Sequence, residues 1–267
     1  MLLSLLPFCY FARTRIEGLR DLAYLVATSW IPGIWLLIRL GGLGPVEALT
    51  VFGIGYLAFI AVYEIGYLVN DGWDAKKTPD GRNRLPFALN AAFVGAFVLI
   101  RVAAWIAVGA ATGWLESGAW LGCFATLAVV FAAHNLISSA ALRAASFYQL
   151  ATLRFVAPVI AALPREDILP AVTAALLFYT YFRFLSYLES KALLDMPDRR
   201  EAHFSIAQVA ILAPLILFLA FTTGSLLMAE LLLYFALLYG AWALGLRIKP
   251  RRQDAAPGRP HPHSRRG

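Results

Sequence analysis

The stretch from Glu47 to Asp74, EALTVFGIGYLAFIAVYEIGYLVNDGWD, reads as an apolar helix that ends abruptly in charge. Residues 47–69 are long enough, at about 1.5 Å per residue, to cross a hydrocarbon core of about 30 Å. The charge that follows is dense, with Asp71, Asp74, Asp80, Lys76, Lys77, Arg82 and Arg84 all within residues 70–84. Asp71 and Asp74 are three apart and share one face of a helix, where two carboxylates can hold a hard divalent cation. The cations just after them can meet phosphate. The same charges also suit a solvated loop between two membrane spans.

Composition decides between a soluble and a membrane protein. Of 267 residues, 60% are hydrophobic and 15% charged, and the mean hydropathy is +0.69. That is too apolar for a soluble domain of this size. The predicted fold is all-α, a polytopic membrane helical bundle of about eight to nine transmembrane helices. Spans are expected at 21–40, 47–69, 87–111, 118–138, 146–163, 168–190, 204–222 and 225–246. These runs are continuous and rich in Leu and Ala, without the period-two alternation of a membrane β-barrel. Cys9 and Cys123 imply no disulfide framework.

The formal net charge of +7 sits in short loops and a tail. Membrane topology accounts for it, and no nucleic acid partner is expected. Residues 1–20 carry Arg13, Arg15 and Arg20 after their apolar run, the reverse of a signal peptide, and read as an interfacial N-terminal segment. Residues 21–246 form the transmembrane domain. Residues 247–267, rich in Arg, Pro and His, read as a disordered basic cytoplasmic tail. The placement of Lys and Arg puts both acidic loops and this tail on the cytoplasmic face of the cell inner membrane.

A second acidic cluster follows the sixth predicted span, in Lys191-Ala192-Leu193-Leu194-Asp195-Met196-Pro197-Asp198-Arg199-Arg200-Glu201. Again two aspartates stand three apart beside cations. Two such clusters on one membrane face suit a shared site. The carboxylates bind Mg²⁺, the ion neutralises diphosphate oxygens, and Lys and Arg complete the cradle. Without a cation the carboxylates would repel one another.

These motifs resemble those of the UbiA superfamily of intramembrane prenyltransferases, and the resemblance covers most of the chain. The first family signature, N-D-x-x-D-x-x-x-D after the second helix, is met by Asn70, Asp71 and Asp74. The second, D-x-P-D-x-x-G-D after the sixth, is met by Asp195, Pro197 and Asp198. A basic residue followed six positions later by Gln is met by Arg143 and Gln149. Thr78 stands where the first signature has its last Asp, and Glu201-Ala202 where the second has Gly-Asp. Asp80 and Glu201 stand close enough to supply the missing charge.

The resemblance implies a Mg²⁺-dependent transferase that moves a prenyl group from a polyprenyl diphosphate to a lipid or aromatic acceptor. Its expected metal ligands are Asp71, Asp74, Asp195 and Asp198. Asn70, Arg82, Arg143 and Lys191 would contact the diphosphate, with Asp71, Asp195 and Lys191 as the catalytic set. Two other readings stay open: phosphoribosyl transfer to a polyprenyl phosphate, and a non-catalytic lipid-binding or transport protein on the same scaffold.

Polar stripes inside the spans suggest where the substrate lies. Glu64, Tyr67, Asp71 and Asp74 follow one face in steps of three, four and three, and Tyr179, Arg183, Tyr187, Lys191 and Asp195 run in steps of four. Charged residues in spans are costly unless they face protein or water. The stripes are therefore expected to line one cavity, with Glu64, Tyr67, Tyr187 and Gln149 in its wall. Plain packing also fits the tyrosines, and a structural ion pair fits Arg183 with Glu64. His134 and Asn135 read as caps or interhelical contacts. Arg101 and Arg154 have no partner assignable from sequence.

Overall fold

The structure is a computed structural model that describes residues 2–72, 89–196 and 202–248. Asp74, Arg82 and Asp198 lie outside these residues, as do Thr78, Asp80, Glu201 and the tail beyond Ile248. Every regular element among the described residues is helical. Among the described residues seven helices are long and apolar enough to cross a membrane, as in a multi-pass helical bundle.

A short 3₁₀ turn (Leu2–Leu5) and helix α1 (Cys9–Arg15) precede α2 (Leu19–Leu25). Helix α2 runs through a π-helical turn, Val26–Trp30, into α3 (Ile31–Arg39). Then come α4 (Pro45–Gly72), α5 (Ala91–Thr112), α6 (Gly118–Leu136) and α7 (Ala140–Val156). Helix α8 (Ile168–Ala175) passes through a second π-helical turn, Leu176–Thr180, into α9 (Tyr181–Ser190). Helices α10 (Ala202–Thr223) and α11 (Leu226–Ile248) complete the bundle. Side-chain caps define the starts of α5, α6 and α7: Asn90, Ser117 and Ser139 accept from the backbone N–H of Phe93, Trp120 and Leu142.

Helix α4 is the centre of the bundle. Of its most apolar window 56% is buried, against 11% for α10, so α10 is peripheral and turns Phe218 and Phe221 outward. Helix α4 passes tightly against the chain that leaves α7. A Cβ at Gly55 would collide with the Pro158 carbonyl, so only glycine permits that approach.

The fifth expected span, 146–163, differs from what forms. Helix α7 starts at Ala140 and stops at Val156, just before Pro158, which cannot continue a helix. Its 17 residues span only about 25 Å, which falls short of a full crossing and leaves seven membrane-length helices among the described residues, against the eight to nine expected. Its buried face carries Ser146 and Arg154 among apolar residues, so α7 is an interior helix with polar contents.

The opening segment packs one side against the bundle: Ser4, Tyr10 and Phe11 are buried while Leu2, Leu3 and Leu6 are exposed, and two charged side chains fasten it there. Glu64 of α4 accepts from the backbone N–H of Phe11 at 2.6 Å and of Phe8 at 3.2 Å. Arg101 of α5 donates to Glu64 at 2.6 Å and to the carbonyls of Ser4, Leu5 and Leu6. Phe8 sits at φ 74, in the left-handed region uncommon for a residue with a Cβ, and the carboxylate on its N–H holds that turn. Arg101 thus takes Glu64 as its partner, and the Glu64–Arg183 ion pair does not form.

Candidate functional site

A partly open cavity of about 190 Å³ lies where α1, α2, α4, α7, the second π-helical turn and α9 meet. Arg15, Asp21, Thr28, Tyr67, Arg154, Tyr179 and Arg183 contribute to its wall. Both π-helical turns reach it, one through Thr28 and the other through Tyr179. Such turns rotate the side chains that follow them relative to an uninterrupted helix, and recur where a helix presents functional groups. Arg15, Asp21 and Tyr67 are close to the end of the bundle that carries Asp71. Arg183 lies about 12 Å along the helix from the α9 cap, and Arg154 about 21 Å along α7 from its start.

Charge is what distinguishes this cavity. Three guanidinium groups and one carboxylate, Asp21, are in its wall, and Asp21 accepts from the backbone N–H of Glu17 at 2.8 Å. Arg15 is neutralised by Asp71 through a 2.8 Å ion pair, and its guanidinium lies 4.3 Å from the centre of the Tyr67 ring. Tyr10 donates to the other Asp71 oxygen at 2.8 Å. Burial opposes the Arg15 charge, but the Asp71 bond and neighbouring groups outweigh it and hold its pKa above the ordinary value. Burial, and then the Asp71 charge, hold the Tyr10 phenol above its usual range, so it stays a neutral donor.

Arg154 and Arg183 have no carboxylate partner among the described residues. Arg154 is 9% exposed, and its hydrogen bond is to the Tyr67 hydroxyl at 3.1 Å. Its guanidinium approaches the rings of Phe11 and Tyr63, at 5.2 and 5.8 Å. Tyr67 therefore joins the two arginines, with its ring beneath Arg15 and its hydroxyl accepting from Arg154. The site is a cationic recess with aromatic walls, suited to an anionic headgroup.

Of the residues expected in the cavity wall, Tyr67 is there and the others are elsewhere. Glu64 is consumed by Arg101. Tyr187 stacks on Phe147 with ring centres 4.1 Å apart, facing α7. Gln149 is exposed. The stripe on the sixth span breaks because α9 ends at Ser190, and Ala192 follows at φ 52. Lys191 and Asp195 thereby leave the helical register and are exposed, while Tyr179 and Arg183 keep to the cavity. Arg143 donates to the Ile137 carbonyl at 2.7 Å across the α6–α7 turn, and Asn70 is half-buried beside Asp71.

No three His, Cys, Asp or Glu side chains converge among the described residues. Both oxygens of Asp71 are engaged by Arg15 and Tyr10, so the described residues do not by themselves form a Mg²⁺ site. Sequence reasoning missed Arg15 and Tyr10 because it read residues 1–20 as an interfacial segment, and it missed Thr28 because it drew no polar stripe through the first span. The intramembrane arginine Arg154 was the available signal. No family model, curated protein or solved structure matches the chain.

Proposed function

We propose that this protein is an intramembrane transferase of the UbiA type, which accepts a polyprenyl diphosphate and passes its prenyl group to an acceptor. The observation that supports it is the recess bearing Arg15, Arg154 and Arg183 inside a membrane bundle, beside the Asp71 end where the first acidic motif begins. A diphosphate entering from that end meets guanidinium groups, and a prenyl chain attached to it has apolar helices to lie against.

In the reaction, the bond between the allylic carbon and the diphosphate oxygen breaks, and its electron pair leaves with the diphosphate. The arginines hold that leaving group. Phe11 and Tyr67 bring aromatic rings to the cavity wall, where a ring face can stabilise positive charge on the allylic fragment. The acceptor nucleophile then bonds to the allylic carbon and loses its proton to solvent. Mg²⁺ at Asp71, Asp74, Asp195 and Asp198 belongs to the same proposal as a neutraliser of diphosphate charge. Asp71 joins such a site only by exchanging Arg15. The cytoplasmic orientation of the Asp71 end is likewise proposed from the placement of Lys and Arg.

The engagement of both Asp71 oxygens favours a second reading, a lipid-phosphate-binding protein without turnover. Purified protein incubated with geranylgeranyl diphosphate and candidate acceptors separates the two. Release of pyrophosphate supports the transferase. Tight binding with no release under any acceptor supports the second reading and removes the first.

A further inference from the structure

We infer that Leu2, Leu3 and Leu6 form a tip that contacts lipid acyl chains below the headgroup layer, so that the leaflet itself helps to hold one wall of the cavity. The partner is lipid hydrocarbon, and the inference stands apart from the transferase reading.

It begins with where two intramembrane charges are spent. Helix α5, at 22 residues and about 33 Å, barely exceeds a hydrocarbon core of about 30 Å. Arg101 is about 15 Å from the Ala91 end of α5, and Glu64 is about 12 Å from the Gly72 end of α4. The headgroup layer is only about 5–8 Å thick on each side. These two side chains take the carbonyls of Ser4, Leu5 and Leu6 and the N–H groups of Phe8 and Phe11. In water those backbone groups would be hydrated without help. Irregular backbone at membrane depth has no water to turn to, and is tolerated only where protein satisfies it. An ion pair placed to satisfy a 3₁₀ turn and the bend at Phe8 is what a segment immersed in lipid requires.

The sidedness of the segment agrees. Ser4, Tyr10 and Phe11 turn inward, while Leu2 is 75% and Leu3 72% exposed, with Leu6 also outward. Arg101 brings the tip against a lipid-facing helix: Leu99 and Val102, on either side of Arg101 in α5, are exposed, and only 17% of the most apolar window of α5 is buried. Residues 2–11 carry no charged side chain. Charge begins at Arg13, where the segment has reached the Asp71 end to which Tyr10 and Arg15 bond. An apolar tip at depth with charge nearer the surface is the profile of a segment laid into a leaflet. The same segment carries Phe11, Arg15 and Ile16 into the cavity wall, so what seats the tip also seats that wall.

The test uses the full chain in phosphatidylcholine nanodiscs, in a Cys9→Ser/Cys123→Ser background. A nitroxide attached through Leu3→Cys reports its surroundings by collisional relaxation with oxygen, which concentrates in hydrocarbon, and with a nickel chelate, which stays in water. The Leu3 label is expected to respond to oxygen and be shielded from the chelate, and a label attached through Arg13→Cys to respond to the chelate. A Leu3 label relaxed by the chelate would place the tip in water and overturn the inference. Shielding from both agents would put protein over the tip, whether a second copy or another part of this chain, and would overturn it as well.

The link to the cavity wall is read from trypsin cleavage after Arg13 and Arg15 in the same nanodiscs. Leu2→Asn/Leu3→Asn should speed cleavage about tenfold or more, because taking one leucine out of an apolar environment already outweighs a tenfold change in equilibrium. Circular dichroism checks that the bundle stays helical, and Leu3→Asn alone is used if the double variant does not fold. Leu3→Ile should be cleaved like the wild type. Cleavage of the asparagine variants at the wild-type rate would mean that acyl chains do not hold the segment, and would overturn the inference. No readout depends on turnover or on a bound diphosphate, so the transferase reading can fail while the lipid contact stands.

Discussion

Glu64 and Arg101 meet at 2.6 Å with neither side chain exposed, and between them they bind the backbone of residues 4, 5, 6, 8 and 11. A buried ion pair of this kind gains little over a well-packed apolar pair, yet removing one partner strands the other. Arg101→Leu should therefore cost about 3–5 kcal/mol of stability and release the opening segment to proteolysis. In Glu64→Leu/Arg101→Leu the loss should be well below the sum of the single changes, as read from unfolding in detergent.

Asp71 is the anchor of Arg15 before it is anything else. Asp71→Asn keeps an oxygen for Tyr10 but removes the charge facing Arg15, and should destabilise the protein by about 1–3 kcal/mol. Turnover should fall at least about tenfold, as expected when a ligand or its support is removed. A melting curve and a pyrophosphate-release assay on the same preparation check both. Arg15→Gln in the same chain should relieve part of the stability loss.

Tyr10 lies outside the membrane-length helices, and its phenol is raised by burial and by Asp71. With the folded pKa above the unfolded value of about 10, the neutral phenol's contribution is complete below about pH 10 and disappears as pH rises through the folded pKa. Wild-type melting temperature should fall above about pH 10 more steeply than that of Tyr10→Phe, which has no proton to lose at that position.

Arg183 and Lys191 have different expected roles because one lines the cavity and the other is exposed beyond the end of α9. Arg183→Ala should weaken geranylgeranyl diphosphate binding by about tenfold or more, with little change in stability, since no described carboxylate is left unpaired. Lys191→Ala should change affinity by less than about fivefold, the scale of a solvated surface charge. Titrations of the two variants side by side decide the assignment. A large effect at Lys191 with none at Arg183 would move the headgroup to the acidic loops.

The membrane class was legible in the chain alone, because hydropathy over a span of about 20 residues depends on composition and hardly on what the helix touches. The α4 helix was legible for the same reason, with residues 47–69 inside the observed Pro45–Gly72. Partner choice was not. The stripes of Glu64 and Arg183 come from the 3.6-residue period within single helices, but whether they meet depends on which helices pack together, and α5 brought Arg101 to Glu64 first. The steps of four through Lys191 assumed a helix that the backbone leaves at Ser190. Nor did Arg15 announce its role in a segment whose composition suits a membrane surface. Only the folded bundle set that arginine on Tyr67 and Asp71, and left Arg154 and Arg183 facing a cavity with neither paired to a described carboxylate, because ion pairing is settled by contacts between residues far apart in sequence.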